Sequence, residues 1–308
     1  MKSTKALGNT LLFLTAMIWG MAFAFQRKGM ETIEPFTFTA VRMGLAAVVV
    51  GISALLFRDK QRTSEVPAEE QKNYRRNTII GGICCGIFLT SASLLQQAGI
   101  KYTTAGKAGF ITAMYMLLVP VINFIFFRKK ITGLVWAAVL IGMFGMYLLC
   151  MNEGFRLTYG DMLVFFCAVM FSGHILCCDH FAPLGDPIGI SAIQFAVCAG
   201  ISMVFAFAVE DPTMEKVRSA AVPILYCGIM SGGVGYTLQM IAQRFTDPTV
   251  ASLLMSMESV FAVIGGAILL NERMTGRELT GCLIMFTAII LVQLPSGTFH
   301  HGSGNGQN

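Results

Sequence analysis

The chain has 308 residues, 55% of them hydrophobic and 13% charged, with a formal net charge of +5. A soluble domain carries roughly 25% charged residues, so composition excludes an ordinary soluble globular protein. The positive excess is small and forms no basic patch with interleaved aromatics, so it does not point to nucleic acid.

Apolar runs of about 20 residues recur along the whole chain, long enough for helices to cross a bilayer. They predict an all-α membrane protein with ten transmembrane helices at about 7–26, 35–57, 77–99, 105–127, 131–151, 158–179, 187–209, 220–243, 247–270 and 276–294. Lys2 and Lys5 precede an apolar stretch ending in Ala22-Phe23-Ala24, the layout of a secretory signal. That reading is set aside because the segment has a partner later in the chain. Most connections are short and carry Gly, Pro or charge, as at Glu34-Pro35, Arg128-Lys129-Lys130, Asp186-Pro187, Asp211-Pro212 and Asp247-Pro248. One predicted loop, 58–76, is long and charged. The tail from Pro295 is rich in Gly, Ser and Asn and is expected to be disordered. The nine cysteines lie in or at the edge of apolar runs. An odd number with no paired set in a loop is no disulfide framework, and small packing residues fit better.

Sliding the sequence by 152 positions places Gly8, Phe13, Ala16, Glu34 and Pro35 on Gly160, Phe165, Ala168, Asp186 and Pro187. Sliding it by 143 places Gln96, Lys101, Tyr102, Thr103, Ala108, Met114, Lys130, Thr132 and Gly133 on Gln239, Arg244, Phe245, Thr246, Ala251, Met257, Arg273, Thr275 and Gly276. The two offsets differ by the lengthened loop at 58–76. The chain therefore reads as a duplication, residues 1–151 and 152–294, followed by a cytoplasmic tail at 295–308. Five crossings per half is an odd number, so the second half enters from the opposite side. Such inverted repeats are frequent in secondary transporters, whose solute site lies near the midplane between the halves. In the first half, eleven Lys and Arg fall on one side and four on the other, while in the second half the balance reverses, with Arg244 inside against Lys216, Arg218, Arg273 and Arg277 outside. Early helices usually dominate orientation, so both termini are expected in the cytoplasm and the protein in a bacterial plasma membrane.

Several residues match a family pattern. Trp19-Gly20, Pro35-Phe36, Arg42, Tyr102-Thr103-Thr104-Ala105, Pro120, Glu258-Ser259-Val260 and Asn271-Glu272-Arg273 with Gly276 stand in the order seen in EamA-type members of the drug/metabolite transporter superfamily, which this chain resembles over residues 8–294. The resemblance implies a ten-helix fold and movement of small metabolites, often amino acids or related compounds. Phe127-Arg128-Lys129 replaces the glycine and glutamate that often close the fourth helix, so a role tied to that motif survives at Glu272 alone.

Ionisable groups at membrane depth are costly and are functional hypotheses by default. Glu258 lies about eleven residues into the ninth predicted helix, where a carboxylate suits proton carriage or recognition of a cation. A structural carboxylate bonded to a neighbouring helix is the bland alternative. Lys107 is one turn into the fourth helix and can also snorkel outward. Arg42 reads as structural glue. His174 lies mid-helix with Cys177 and Cys178 one turn on, a spacing that shares a face and suits a soft metal. Cavity lining or proton handling by His174, or a bond to a neighbouring residue, is set against that reading, and no metal site or cofactor is expected. Gly232, Tyr236, Gln239 and Gln243 form a stripe on the eighth helix, matched by Thr90, Ser93 and Gln97 with Gln96 on the third. These groups suit a polar or zwitterionic solute, or bonding between helices. Trp19 and Tyr115 are candidate walls. Gly228 and Gly232 form a G-x-x-x-G pair that signals close packing.

The function expected is secondary transport of a small polar metabolite, an amino acid or related amine, by alternating access. Possible partners are that solute, a proton or solute counter-gradient and the lipid bilayer. A channel, a structural membrane protein and an intramembrane enzyme are the alternatives. Asp161, Asp179, Asp186 and Asp247 lie at helix ends, away from the depth an aspartyl protease needs. No phosphate loop for ATP is present in the sequence.

Overall fold

The computed structural model describes residues 2–56, 68–102, 105–128, 131–150, 158–269 and 275–293, and all regular structure among them is helical. In chain order the helices are α1 (Lys2–Gly29), α2 (Pro35–Leu56), α3 (Ala68–Ile100), α4 (Ala105–Thr112), α5 (Tyr115–Phe127), α6 (Gly133–Cys150), α7 (Tyr159–Phe181), α8 (Pro187–Val209), α9 (Met214–Ser219) and α10 (Ala221–Leu225). A π-helical segment (Tyr226–Tyr236) follows, then α11 (Thr237–Ala242), α12 (Pro248–Met255), α13 (Glu258–Leu269) and α14 (Gly276–Gln293).

Eight spans among the described residues are long and apolar enough to cross a membrane, and α6 and α14 carry shorter apolar runs, Gly133–Gly145 and Leu279–Ala288. Many large apolar side chains point outward, including Val48, Leu55, Phe126, Phe144, Val204 and Phe207. Polar side chains such as Thr15, Gln97, Gln194 and Ser252 are buried instead. Hydrocarbon outside and hydrogen-bonding groups inside is the pattern a bilayer imposes.

Three departures from the expected helices have local causes. First, α3 starts at Ala68, inside the stretch read as a loop. Residues 68–76 are charged but rich in good helix formers, and Glu69 and Glu70 occupy the first turn, where the helix dipole favours acids. Second, the predicted spans 105–127 and 247–270 are each broken in the middle. The breaks fall at Ala113-Met114 and at Ser256-Met257, 143 positions apart. There the backbone makes short i to i+3 bonds, as from Met116 N to Ala113 O and from Ser259 N to Ser256 O. Third, the span 220–243 passes through eleven residues of π-helix, a form that concentrates at functional sites.

Close approach explains two glycines. A Cβ on Gly235 would sit 2.6 Å from Trp19 Nε1, so only glycine lets the indole lie on the π-helix. A Cβ on Gly20 would meet the Glu258 carbonyl oxygen and Ala262 N. Gly20 therefore sets how near α1 runs to α13. The Gly228 and Gly232 pair packs on α2, at Leu45 and Ala46, as close packing requires.

α2 packs along α8, α6 along α14, α3 along α7 and α8, and α1 along α13. At one end, Glu210 caps α2 from across the bundle. Its carboxylate accepts from Phe36 N at 2.9 Å, Thr37 N at 2.7 Å and Thr37 Oγ1 at 2.7 Å. These amides have no partner within their own helix, so the cap ties α2 to the end of α8. Beside it Lys216 Nζ donates to Glu34 Oε1 at 2.6 Å.

Candidate functional site

The helices enclose a cavity of about 30 Å³ lined by fourteen residues. From α1 come Trp19, Phe23 and Gln26, from α2 Arg42, and from α7 Phe171, His174 and Ile175. The π-helix gives Ser231 and Tyr236, and α11 gives Gln239. Gln96, Thr112, Tyr115 and Glu258 complete the wall.

Both helix breaks open onto this cavity. Tyr115 and Glu258 are the first residues of α5 and α13, directly after the breaks. Broken helices at membrane depth are tolerated where they line a cavity, and their half-helix ends present dipoles to it. Tyr115 Oη donates to Glu258 Oε1 at 2.9 Å, and both side chains are buried. The positive end of α13 offsets part of the cost of a carboxylate there.

An aromatic wall faces that pair. The Trp19 and Tyr236 rings lie 4.5 Å apart, and Trp19 Nε1 donates to Ser231 O at 3.1 Å. His174 and Phe195 each meet the Tyr236 ring edge-on. His174 Nε2 lies 2.9 Å from Gln194 Oε1. An amide oxygen only accepts, so Nε2 is the donor of this bond. Gln96 Nε2 donates to Thr112 Oγ1 at 3.2 Å, and Gln239 Nε2 donates to Gln243 Oε1 at 3.0 Å. Gln243 in turn reaches the Ile175 carbonyl.

Of the residues singled out in the sequence, Glu258, His174, Gln239, Tyr236, Trp19 and Tyr115 meet at this one cavity. Gln97 is not among its lining residues. It is fully buried, and neither side-chain amide atom has a hydrogen-bond partner. Gln96 faces the cavity in its place, because consecutive helical residues point about 100° apart. Lys107 lies on α4, and its side chain is outside the described residues. Thr103, Thr104 and the segment 271–273 also lie outside them.

Sequence reasoning missed Gln26, Thr112, Phe171 and Ser231 as lining residues and gave Arg42 a structural role. Gln26 was within reach, since Trp19, Phe23 and Gln26 form a stripe at i, i+4 and i+7. Arg42 is 3% exposed, and its Nε has no acceptor. The soft side chains at His174 also regroup. Cys178 Sγ lies 3.9 Å from Cys85 Sγ on α3 and 3.6 Å from His174 Nε2. Cys85, His174 and Cys178 are the described trio whose ligand atoms fall within 4.8 Å of one another.

The EamA-like transporter family model matches residues 6–151 and again residues 158–294. An uncharacterized transporter of Archaeoglobus fulgidus is 27% identical over 287 residues, covering 92% of this chain and 84% of that protein. The uncharacterized transporter YoaV of Bacillus subtilis is 21% identical over 281 residues, covering 89% and 92%. An S-adenosylmethionine/S-adenosylhomocysteine transporter of Chlamydia muridarum is 27% identical over 122 residues, 40% of this chain and 35% of that one. A solved crystal structure shares the fold with a TM-score of 0.74 at 18% identity, covering 92% of this chain and 96% of its own. Apolar helices around a buried polar cavity, with a family match along nearly the whole length, identify this integral membrane protein as a member of the EamA-like transporter family.

Proposed function

We propose that the chain is a secondary transporter that moves a small polar metabolite, an amino acid or related amine, by alternating access. The two halves, residues 1–151 and 152–294, each contribute five of ten crossings in opposite orientation. Both termini lie in the cytoplasm, and 295–308 is a cytoplasmic tail.

One observation carries this reading: the cavity is lined by residues from equivalent positions of the two halves. Trp19 and Phe23 correspond, 152 positions on, to Phe171 and Ile175. Gln96 and Tyr115 correspond, 143 positions on, to Gln239 and Glu258. The helix contacts support the same relation, since α2 on α8 and α6 on α14 each join equivalent helices. Two halves related in this way can exchange conformations, and with them the open side, at little energetic cost. The cavity, at about 30 Å³, is far below the roughly 300–1,000 Å³ of ligand pockets. A solute of metabolite size therefore needs the halves to rearrange around the site.

Glu258, Tyr115, His174, Gln239, Tyr236 and Trp19 are the proposed solute or proton site. A chemical parallel comes from the Chlamydia relative, whose named solutes are amino-acid derivatives. In proteoliposomes, uptake should proceed without ATP, driven by a solute or proton gradient. Strict ATP dependence of the purified protein would overturn the reading. If Glu258 carries protons, Glu258→Gln should abolish accumulation and spare exchange between equal compartments. If it binds the solute, both should fall together.

A further inference from the structure

Arg42 poses a problem that packing does not solve. It sits in the second turn of α2, beyond the Glu210 cap, at a depth where a bare cation is costly. Such a charge is ordinarily paired. Among the described residues the guanidinium makes no ion pair and no hydrogen bond to a side chain or carbonyl, and its buried Nε is left without an acceptor. Its guanidinium lies over the Phe38 ring, with Cζ 5.7 Å from the ring centroid. Among the described residues that line the cavity the one carboxylate, Glu258, bonds Tyr115 and makes no ion pair with Arg42. An arginine and a glutamate therefore line one cavity without pairing with each other. Gln26 Oε1 and Gln239 Oε1 are also buried without donors on the same wall.

We propose that Arg42 is the anchor for a carboxylate of the transported solute, whose amino group is held on the side of Glu258 and the two free amide oxygens. This deepens the reading above and rests on it. It narrows the solute class to zwitterions bearing a carboxylate and excludes simple amines, polyamines and quaternary ammonium compounds. A planar guanidinium matches a carboxylate with two parallel N–H bonds. Gln26 and Gln239 offer acceptors, which an ammonium can fill and a carboxylate cannot. Position 194, which corresponds to Arg42 in the second half, holds Gln194, bonded to His174. The cation is thus present once, and the site is polar from one side to the other.

The test uses the purified full chain in detergent. Thermal shift is read against the twenty standard L-amino acids, and each binder is compared with its own carboxamide and its decarboxylated amine. At least one amino acid should bind, about 30-fold or more tighter than its amide, the loss expected when a charged partner is removed. Arg42→Gln should bring the acid down to the affinity of the amide and leave the amide unchanged. Arg42→Lys, which keeps a charge without the fork, should fall between. The ligand-free midpoint of Arg42→Gln should equal or exceed that of the wild type, because an unpaired buried charge has been removed. A structural arginine gives the reverse: a lower midpoint, and equal loss for acid and amide. Equal binding of acid and amide, binding of amines but no amino acid, or no binding by the amino-acid set overturns the carboxylate anchor. If amines are nevertheless carried into proteoliposomes, the transporter reading stands without it. If neither amino acids nor amines are carried, that reading fails separately.

Discussion

Tyr115 and Glu258 stand 143 positions apart, each opens the second segment of a broken helix, and the phenol donates to the carboxylate at 2.9 Å. The bond joins the two halves of the chain at the cavity wall. Removing the hydroxyl leaves one carboxylate oxygen without its donor in a dry site, which costs about 1–3 kcal/mol. Glu258→Gln retains a carbonyl oxygen that still accepts from Tyr115 and should cost less. Thermal unfolding of Tyr115→Phe, Glu258→Ala and the double variant gives the coupling. A value of about 0.5–3 kcal/mol is expected for groups in direct contact. Additive effects would mean that the two side chains do not depend on each other. Solute flux through Tyr115→Phe should fall about tenfold, the effect of roughly 1.4 kcal/mol at the site.

Much of this wall was legible in the sequence because it rests on period and burial cost. Glu258 announced itself as a charge deep in an apolar run, and Tyr236 and Gln239 fell on one helical stripe. Breaks in the helices were not legible. Ala113-Met114 and Ser256-Met257 contain no proline or glycine, and both interrupt sequences that read as continuous spans. The π-helix was equally silent, since its eleven residues carry an ordinary apolar and glycine-containing pattern, and the indole of Trp19 that lies against Gly235 is more than two hundred positions away. Gln97 was chosen over Gln96 because the stripe fixes a face only to within about one residue. The place of Arg42 on the cavity wall was not legible, because a sequence shows a buried cation but not what stands beside it.

Gly20 should tolerate no side chain. A Cβ there overlaps the backbone of α13 at Glu258 and Ala262, so Gly20→Ala should destabilise by about 1–3 kcal/mol through overpacking. Gly51, near the C-terminal end of the second span, is the contrast, because a Cβ there meets nothing within 4 Å. Gly51→Ala should be neutral or stabilising by up to about 1 kcal/mol, the helix-propensity difference. Thermal midpoints of the two variants in detergent decide the matter. Equal midpoints would show that α1 and α13 are not held at the distance described.

Orientation is open to labelling. With both termini in the cytoplasm, a single cysteine placed at Ser64 in a background without other accessible thiols should be protected from an impermeant maleimide added outside cells. One placed at Ser219, whose side chain is exposed, should react. The reverse pattern would invert the topology and leave the relation between the halves untouched.

The Glu34 and Lys216 pair predicts where pH should have no effect. Burial pushes the Glu34 carboxyl up, but the Lys216 hydrogen bond, a backbone bond and the charges of Lys216 and Lys101 outweigh it and hold the group below its usual value. The Glu34 bond holds the Lys216 ammonium above its usual value, against a smaller opposing effect of desolvation. For the depressed carboxyl, the stabilisation is present above the unfolded value of about 4.3 and is lost as pH falls through the lower folded value. For the raised ammonium, it is complete below about 10.4 and is lost as pH rises through the higher folded value. Between about pH 5 and pH 9 both groups stay charged and the pair contributes a constant amount. The destabilisation caused by Glu34→Gln should therefore be flat across that window and should shrink only in stronger acid. Any change in transport rate near neutrality must come from other groups, with Glu258 and His174 at the cavity the first candidates. Transport measured from about pH 5.5 to 8.5 in wild type, Glu34→Gln and Glu258→Gln separates the two sources. A profile that loses its slope in Glu34→Gln, and keeps it in Glu258→Gln, would move the pH-sensing group from the cavity to the loop.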